Sequence, residues 1–307
     1  MQFSQVPHTI LMVRPAAFGF NPETKDSNAF QKQTDKPPDV IQAMALSEFN
    51  GVIDLLRAHD IPVVIVEDTL EPITTDAIFP NNWITTHEDG KVILYPMMSP
   101  MRRKERRNDV VELLKRKYAV KEIIDLSPLE QEDRFLEGTG SIIFDHPHKI
   151  AYACRSDRTD DASFINLSRR LGYNPILFHS TDENNKPVYH TNVMMWIGEK
   201  VVGICLDSVR SEAEQEVILN SFNRTGHKVI ALSFAQMNCF AGNMFEVKNN
   251  KDQRFLLLSE TAKKSLLPGQ ILEMEKFVTL LPVDISTIEE SSGGSIRCMV
   301  AGIHLPD

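Results

Sequence analysis

The chain of 307 residues is 42% hydrophobic and 24% charged, which supplies a substantial core and excludes a disordered or fibrous protein. Its net charge of -9 argues against a nucleic-acid partner, and no apolar run approaches the ~20 residues that a bilayer span needs. The opening MQFSQVPHTILMVRP lacks the basic start, apolar stretch and cleavage site of a secretory signal, so a cytoplasmic protein free of membranes is expected. In such a reducing compartment Cys154, Cys205, Cys239 and Cys298, widely spaced and without a CxxC pair, are expected as free thiols.

In chain order, HTILMVRP reads as a strand. The polar stretch 18–38 is too long for a simple connection and reads either as a lid, closing through Phe18, Phe20 or Asn21, or as a mobile surface loop. A helix over 39–59, with a core face through Met44, Val52 and Leu55, leads to the strand IPVVIVED. Residues 83–97 read as two strands around the polar turn HEDGK, followed by a helix over 105–118 and the apolar VKEIIDL. The basic MRRKERR before that helix reads as a solvated face.

The same order then recurs. SIIFDHPHKIAYACRS precedes a helix over 160–172 and YNPILFHS, while NVMMWIGEKVVGICLDS precedes a helix over 211–222 and HKVIALS. A looser copy joins NMFEVKNNKDQRFLLLSE, helix signals from 268 and VTLLPVDI. The C-terminal RCMVAGIHLP is expected to pair with HTILMVRP and close the set at five ββαβ units, with residues 1–307 forming a single domain. Hairpins interrupt the crossovers and no glycine-rich phosphate loop follows a first strand, so a doubly wound sheet fits poorly. A radial arrangement, which leaves few exposed sheet edges, fits better.

Radial units would bring the residues before each first strand to one axis. These are Phe79-Pro80-Asn81-Asn82, Leu136-Glu137-Gly138-Thr139-Gly140, His190-Thr191-Asn192, Ala241-Gly242-Asn243 and Gly293-Gly294-Ser295-Ile296-Arg297-Cys298. A free cysteine is most often a small buried apolar group, but the Gly-Gly lead-in and this company suit a presented nucleophile. A histidine titrates near neutral pH and can move protons for it, and a carboxylate can either hydrogen-bond substrate nitrogens or orient the imidazole. Cys239, without the glycine pair, reads as packing, and the histidines of DHPHK fall in a turn, so no metal or cofactor is expected.

The order Glu-Gly, His-x-Asn, Gly-Gly-x-x-Arg-Cys resembles the guanidino-group-modifying enzymes of the pentein superfamily: arginine deiminases, dimethylarginine hydrolases and amidinotransferases. The chain looks most like the branch of citrulline utilization hydrolases. The resemblance spans nearly the whole chain and implies a five-bladed α/β propeller, with Cys298, His190 and Glu137 as catalytic residues. It also implies a small ureido or guanidino amino acid as partner. Arg158, in ACRSDRTD, resembles an Arg-Thr that holds the substrate carboxylate; Arg155 and Arg14 are weaker candidates, and Asn243 joins the substrate-binding set.

Arginine deiminases usually place aspartates where this chain has Asn82 and Asn192. An amide can donate to a ureido oxygen, which a carboxylate cannot, so the substitutions favour citrulline, cleaved to ornithine, ammonia and carbon dioxide. Succinylarginine dihydrolases also lack such aspartates, so a guanidine-acting deiminase, dimethylaminohydrolase, dihydrolase or amidinotransferase stays open. A non-catalytic propeller is the reading of another class, and intact Glu137, His190 and Cys298 oppose it. A homodimer is the default expectation.

Overall fold

A computed structural model describes residues 3–25, 28 and 30–307. Its strands are β1 Thr9–Arg14, β2 Val63–Glu67, β3 Ile84–Thr86, β4 Lys91–Leu94, β5 Glu122–Asp125, β6 Ile143–Asp145, β7 Ile150–Cys154 and β8 Asn174–Phe178. They continue as β9 Met195–Ile197, β10 Val201–Ile204, β11 Lys228–Ala231, β12 Phe245–Lys248, β13 Arg254–Ser259, β14 Thr279–Val283 and β15 Ala301–Ile303. They pair into five three-stranded sheets, ordered β3-β4-β5, β6-β7-β8, β11-β10-β9, β12-β13-β14 and β15-β1-β2.

Every sheet repeats one pattern, which short hairpins and helical crossovers dictate. The first pair is antiparallel, as in Ile84↔Leu94, and the second is parallel, as in Val92↔Ile123. The expected union of the chain ends is found: Thr9 opposes Ile303 across an antiparallel pair, while Ile10 runs parallel to Val63. The first strands β3, β6, β9, β12 and β15 all contribute to the wall of one axial cavity, which makes the arrangement radial.

The crossover helices cover the outside of the sheets. Pro38–Ala58 buries Ile41, Ala45, Phe49, Val52, Ile53 and Leu56. The core stripe expected through Met44, Val52 and Leu55 is therefore rotated: Val52 is buried, Leu55 is partly so and Met44 is exposed. Asp161–Arg170 is capped by Asp160, whose side chain accepts from the Ser163 N–H, and it buries Phe164 and Leu167. Glu212–Thr225 starts at Ser211 and ends at Gly226 in the left-handed region, burying Ile218 and Phe222. The fourth crossover has two helices, Glu260–Ser265 and Pro268–Met274, where helix signals began only at 268. Among the described residues no helix is long and apolar enough to cross a membrane.

Candidate active site

Each first strand is preceded by a tight turn, and these turns meet at one end of the axis. Three are single helical turns: Pro80–Asn82, Gly138–Ser141 and Thr191–Met194. Their approach is close enough to exclude side chains. A Cβ on Gly140 would fall 2.4 Å from Asn82 Nδ2 and 2.8 Å from His190 Nδ1. Gly293 ends the helix Ser286–Ser292 at φ 70°, and a Cβ there would lie 2.6 Å from the Gln31 amide nitrogen. Gly293 thus stops the helix and lets the 18–38 segment press against the turn that carries Cys298, while a Cβ on Gly294 would lie 2.7 Å from the Phe79 ring.

Two carboxamides aim at the Cys298 sulfur, Asn243 Nδ2 at 3.4 Å and Asn192 Nδ2 at 3.5 Å. The Arg297 N–H donates to Asn243 Oδ1 at 3.1 Å and so fixes which end of that amide is the donor. His190 and Cys298 line the same pocket. His190 Nε2 lies 2.8 Å from Glu137 Oε2, the Met98 N–H donates to Glu137 Oε1 at 2.9 Å, and Arg158 Nη1 stands 3.5 Å from Oε2. Nδ1 is left as the imidazole nitrogen that can exchange protons.

Burial alone would raise the Glu137 pKa, but the Arg158 guanidinium, the His190 hydrogen bond and Arg102 outweigh it and hold the carboxyl well below its usual range. Burial pulls His190 down to about 4, against the raising effect of Glu137, with Arg158 and Arg102 adding to the fall. The resting pair is a carboxylate and a neutral imidazole.

The sequence-predicted residues divide clearly. Asn82, Arg158, His190 and Cys298 line the pocket, Glu137 reaches it through His190, and Asn192 and Asn243 touch the sulfur. Arg14 lies elsewhere: it pairs with Glu67 at 3.0 Å, bonds Asn50 and stacks 5.2 Å over Phe49, because β1 ends beside the first long helix. Arg155 also points away, to Asp161 at 3.0 Å.

Of the 18–38 segment, Thr24 and Asn28 form pocket wall, and Asn28 Nδ2 donates to the Ser292 carbonyl at 2.8 Å. Asn21 Nδ2 donates to Asp76 at 2.6 Å, Phe18 is core, and Phe20 lies in a separate surface groove. Residues 26, 27 and 29 of that segment lie outside the described residues.

Three charged or aromatic pocket residues escaped the sequence reading. Arg102, read as part of a solvated basic face, is 4% exposed. It makes two 2.9 Å bonds to Glu105, donates to Asn82 Oδ1 at 2.9 Å and lies 3.8 Å from Asp76. Asp76 is the second, and burial raises its pKa against the pull of Arg102 and Asn21. Tyr189 is the third, with the Arg158 guanidinium 4.9 Å over its ring. Only adjacency to His190 could have flagged Tyr189. Away from the pocket, Asp145, His148 and His227 gather within 4.8 Å of one another. His148 Nδ1 lies 2.8 Å from Asp145 Oδ1, whereas both His227 nitrogens are engaged elsewhere, by Thr225 at 2.7 Å and the Gly198 carbonyl at 3.2 Å.

Five sheets set around one axis define a pentein, the fold of the guanidino-group-modifying enzymes. Residues 14–305 match the sequence profile of the family described as N,N dimethylarginine dimethylhydrolase, eukaryotic, and the chain belongs to that family.

No curated protein matches the chain in sequence. Among solved structures it is similar to the substrate-bound N-terminal domain of ArgZ, an arginine dihydrolase from the ornithine-ammonia cycle in cyanobacteria. That match has a TM-score of 0.72 at 14% identity and covers 97% of this chain and 98% of that one. The chain spans 39% of the longer ArgZ chain. AgrE in complex with L-arginine has a TM-score of 0.72 at 15% identity, covering 97% of this chain and 40% of that one. A dimethylarginine dimethylaminohydrolase variant carrying an S-methyl-L-thiocitrulline adduct has a TM-score of 0.65 at 15% identity, covering 96% and 99%. Likeness at these identities is likeness of fold.

Proposed function

We propose that this protein hydrolyses the ureido group of citrulline through a covalent intermediate on Cys298. The observation that carries the choice of substrate is a pair of buried amide atoms without partners. Asn82 spends its oxygen on Arg102 and leaves the donor Nδ2 unpaired, while Asn192 leaves the acceptor Oδ1 unpaired. A ureido group offers an acceptor oxygen together with N–H donors and can answer both. A guanidinium offers donors only.

In this reading the thiol proton passes to neutral His190 and the thiolate attacks the ureido carbon. The bond to the terminal nitrogen breaks, His190 returns the proton, and ammonia leaves a thiocarbamate on Cys298. Water, activated by His190, attacks that carbon; the thiolate departs, and the resulting carbamate loses carbon dioxide to give ornithine. Glu137 stabilises each imidazolium as it forms. Arg102 and Arg158 face the substrate carboxylate and Asp76 its ammonium, since these three charges share the pocket wall.

A second reading, hydrolysis of a guanidine, takes support from the family description and from the arginine bound by AgrE. One assay separates the two: purified protein is incubated with citrulline, arginine and dimethylarginine while ornithine, citrulline and ammonia are followed. Ornithine from citrulline alone supports the proposal. Arginine or dimethylarginine consumed with citrulline accumulating rejects it.

A further inference from the structure

The first strands enclose a second compartment of about 50 Å³, room for a few waters or one small ion. It lies further along the axis than the catalytic turns, and Arg297, His87, His146 and His304 stand in its wall. Arg297 is 8% exposed. One of its N–H groups donates to the Val300 carbonyl at 2.9 Å, and its guanidinium sits 4.3 Å over the Phe245 ring. Among the described residues no carboxylate pairs with it. Burial lowers its pKa to about 10, against the raising effect of the neighbouring Cys298 sulfur.

The histidines do not neutralise that charge. The His146 and His304 rings are 4.3 Å apart, and His87 is 6.0 Å from His146. Burial lowers His87 to about 4 and His304 to about 3, so all face the guanidinium as neutral imidazoles at pH 7. Tyr95 and Thr85 lie 2.8 Å apart, and Thr85 is 3.1 Å from His87 Nε2. When that chain of hydroxyls donates toward Nε2, the proton of His87 sits on Nδ1, which is buried and has no partner. A compartment holding a guanidinium without a carboxylate partner repels cations, so its three imidazoles do not make a metal site.

We propose that this axial compartment binds one small monovalent anion, of the size of chloride or bicarbonate, held by the Arg297 guanidinium and by His87 in the tautomer protonated at Nδ1. The site is independent of the catalytic reading and is tested without an activity assay. Crystals soaked in sodium bromide are expected to show an anomalous peak within hydrogen-bonding reach of Arg297.

In solution, the melting temperature at constant ionic strength is expected to rise saturably by about 2 °C or more when chloride or bicarbonate replaces gluconate. The two titrations distinguish a halide from a carbonate occupant. Arg297→Met is expected to abolish the rise. Should that variant fail to fold, His87→Phe, which keeps Arg297, is expected to weaken apparent anion affinity at least about tenfold. A compartment without an anomalous peak, or a melting shift unchanged in the folded variants, overturns the proposal.

Discussion

His190 Nε2 and Glu137 Oε2 lie 2.8 Å apart with both side chains almost wholly buried, the imidazole neutral and the carboxyl ionised. In the proposed mechanism this carboxylate is the group that stabilises the imidazolium in a dry site. Glu137→Gln keeps a hydrogen-bonding side chain of the same shape but removes that charge. It is expected to lower kcat on citrulline by about 100-fold or more, with a smaller change in KM. Steady-state kinetics against the parent enzyme check this; a variant with unchanged kcat would remove Glu137 from the mechanism.

Stability should fall early on acidification. Burial lowers His87 and His190 to about 4 and His304 to about 3, from an ordinary value of 6.5, and His146 falls as well. These histidines bind fewer protons in the folded chain than in the unfolded one, so their contribution to stability rises with pH through this window, while Glu105 and Glu246, raised by burial to about 7, oppose it down to about 4.5. The histidine contribution is fully present above about 6.5 and is lost as pH drops toward 4, at up to about 3 kcal/mol per histidine. Glu137, also depressed, adds a loss below its ordinary 4.5. Denaturant melts at pH 7, 6, 5 and 4 are expected to show a decline beginning near 6.5. His304→Phe is expected to lessen that decline, and an unchanged profile in that variant contradicts a neutral buried imidazole there.

Arg102 separates stability from binding. Arg102→Ala leaves buried Glu105 and Asp76 without their cation and is expected to cost about 3–5 kcal/mol. The double variant Arg102→Met with Glu105→Leu removes both charges of the bidentate pair and is expected to regain most of that loss. It still lacks the pocket guanidinium, so KM for citrulline should stay raised at least about tenfold. Chemical denaturation and kinetics on the same preparations give both readouts.

What the sequence made visible follows from how local each feature is. The hairpin at HEDGK, the helix after it and the apolar VKEIIDL are all set within some forty residues, and the parallel return strand follows. Glu137, His190 and Cys298 were legible because each sits directly before or within the lead-in to a first strand. Arg102 was not. MRRKERR carries no periodicity that tells one cation from the next, and the inward turn comes from the Ser99-capped helix Pro100–Arg103 meeting Asn82, twenty positions away. Arg14 erred in the opposite sense, since nothing around a strand end reveals that Phe49 and Glu67 will claim its guanidinium. The rotated stripe of the first long helix shows the same limit: spacing supplies a face, and only the neighbouring sheet decides whether Met44 or Ala45 turns inward.

Asn192→Asp tests the choice of substrate at a single atom pair. In the native protein Nδ2 reaches toward the Cys298 sulfur while Oδ1 stands buried and unpaired. The substitution trades the donor for a second carboxylate oxygen. Its charge opposes the thiolate and favours a cationic guanidinium over a neutral ureido group. We expect kcat/KM for citrulline to fall by about 1,000-fold and the ratio of arginine to citrulline turnover to rise at least about tenfold. The rate of Cys298 alkylation by iodoacetamide should fall in parallel, since that reaction needs the thiolate and no substrate. Slower alkylation with an unaltered substrate ratio would assign Asn192 to the sulfur alone and leave the choice of substrate to Asn82. Citrulline turnover at the parental rate would remove Asn192 from both roles.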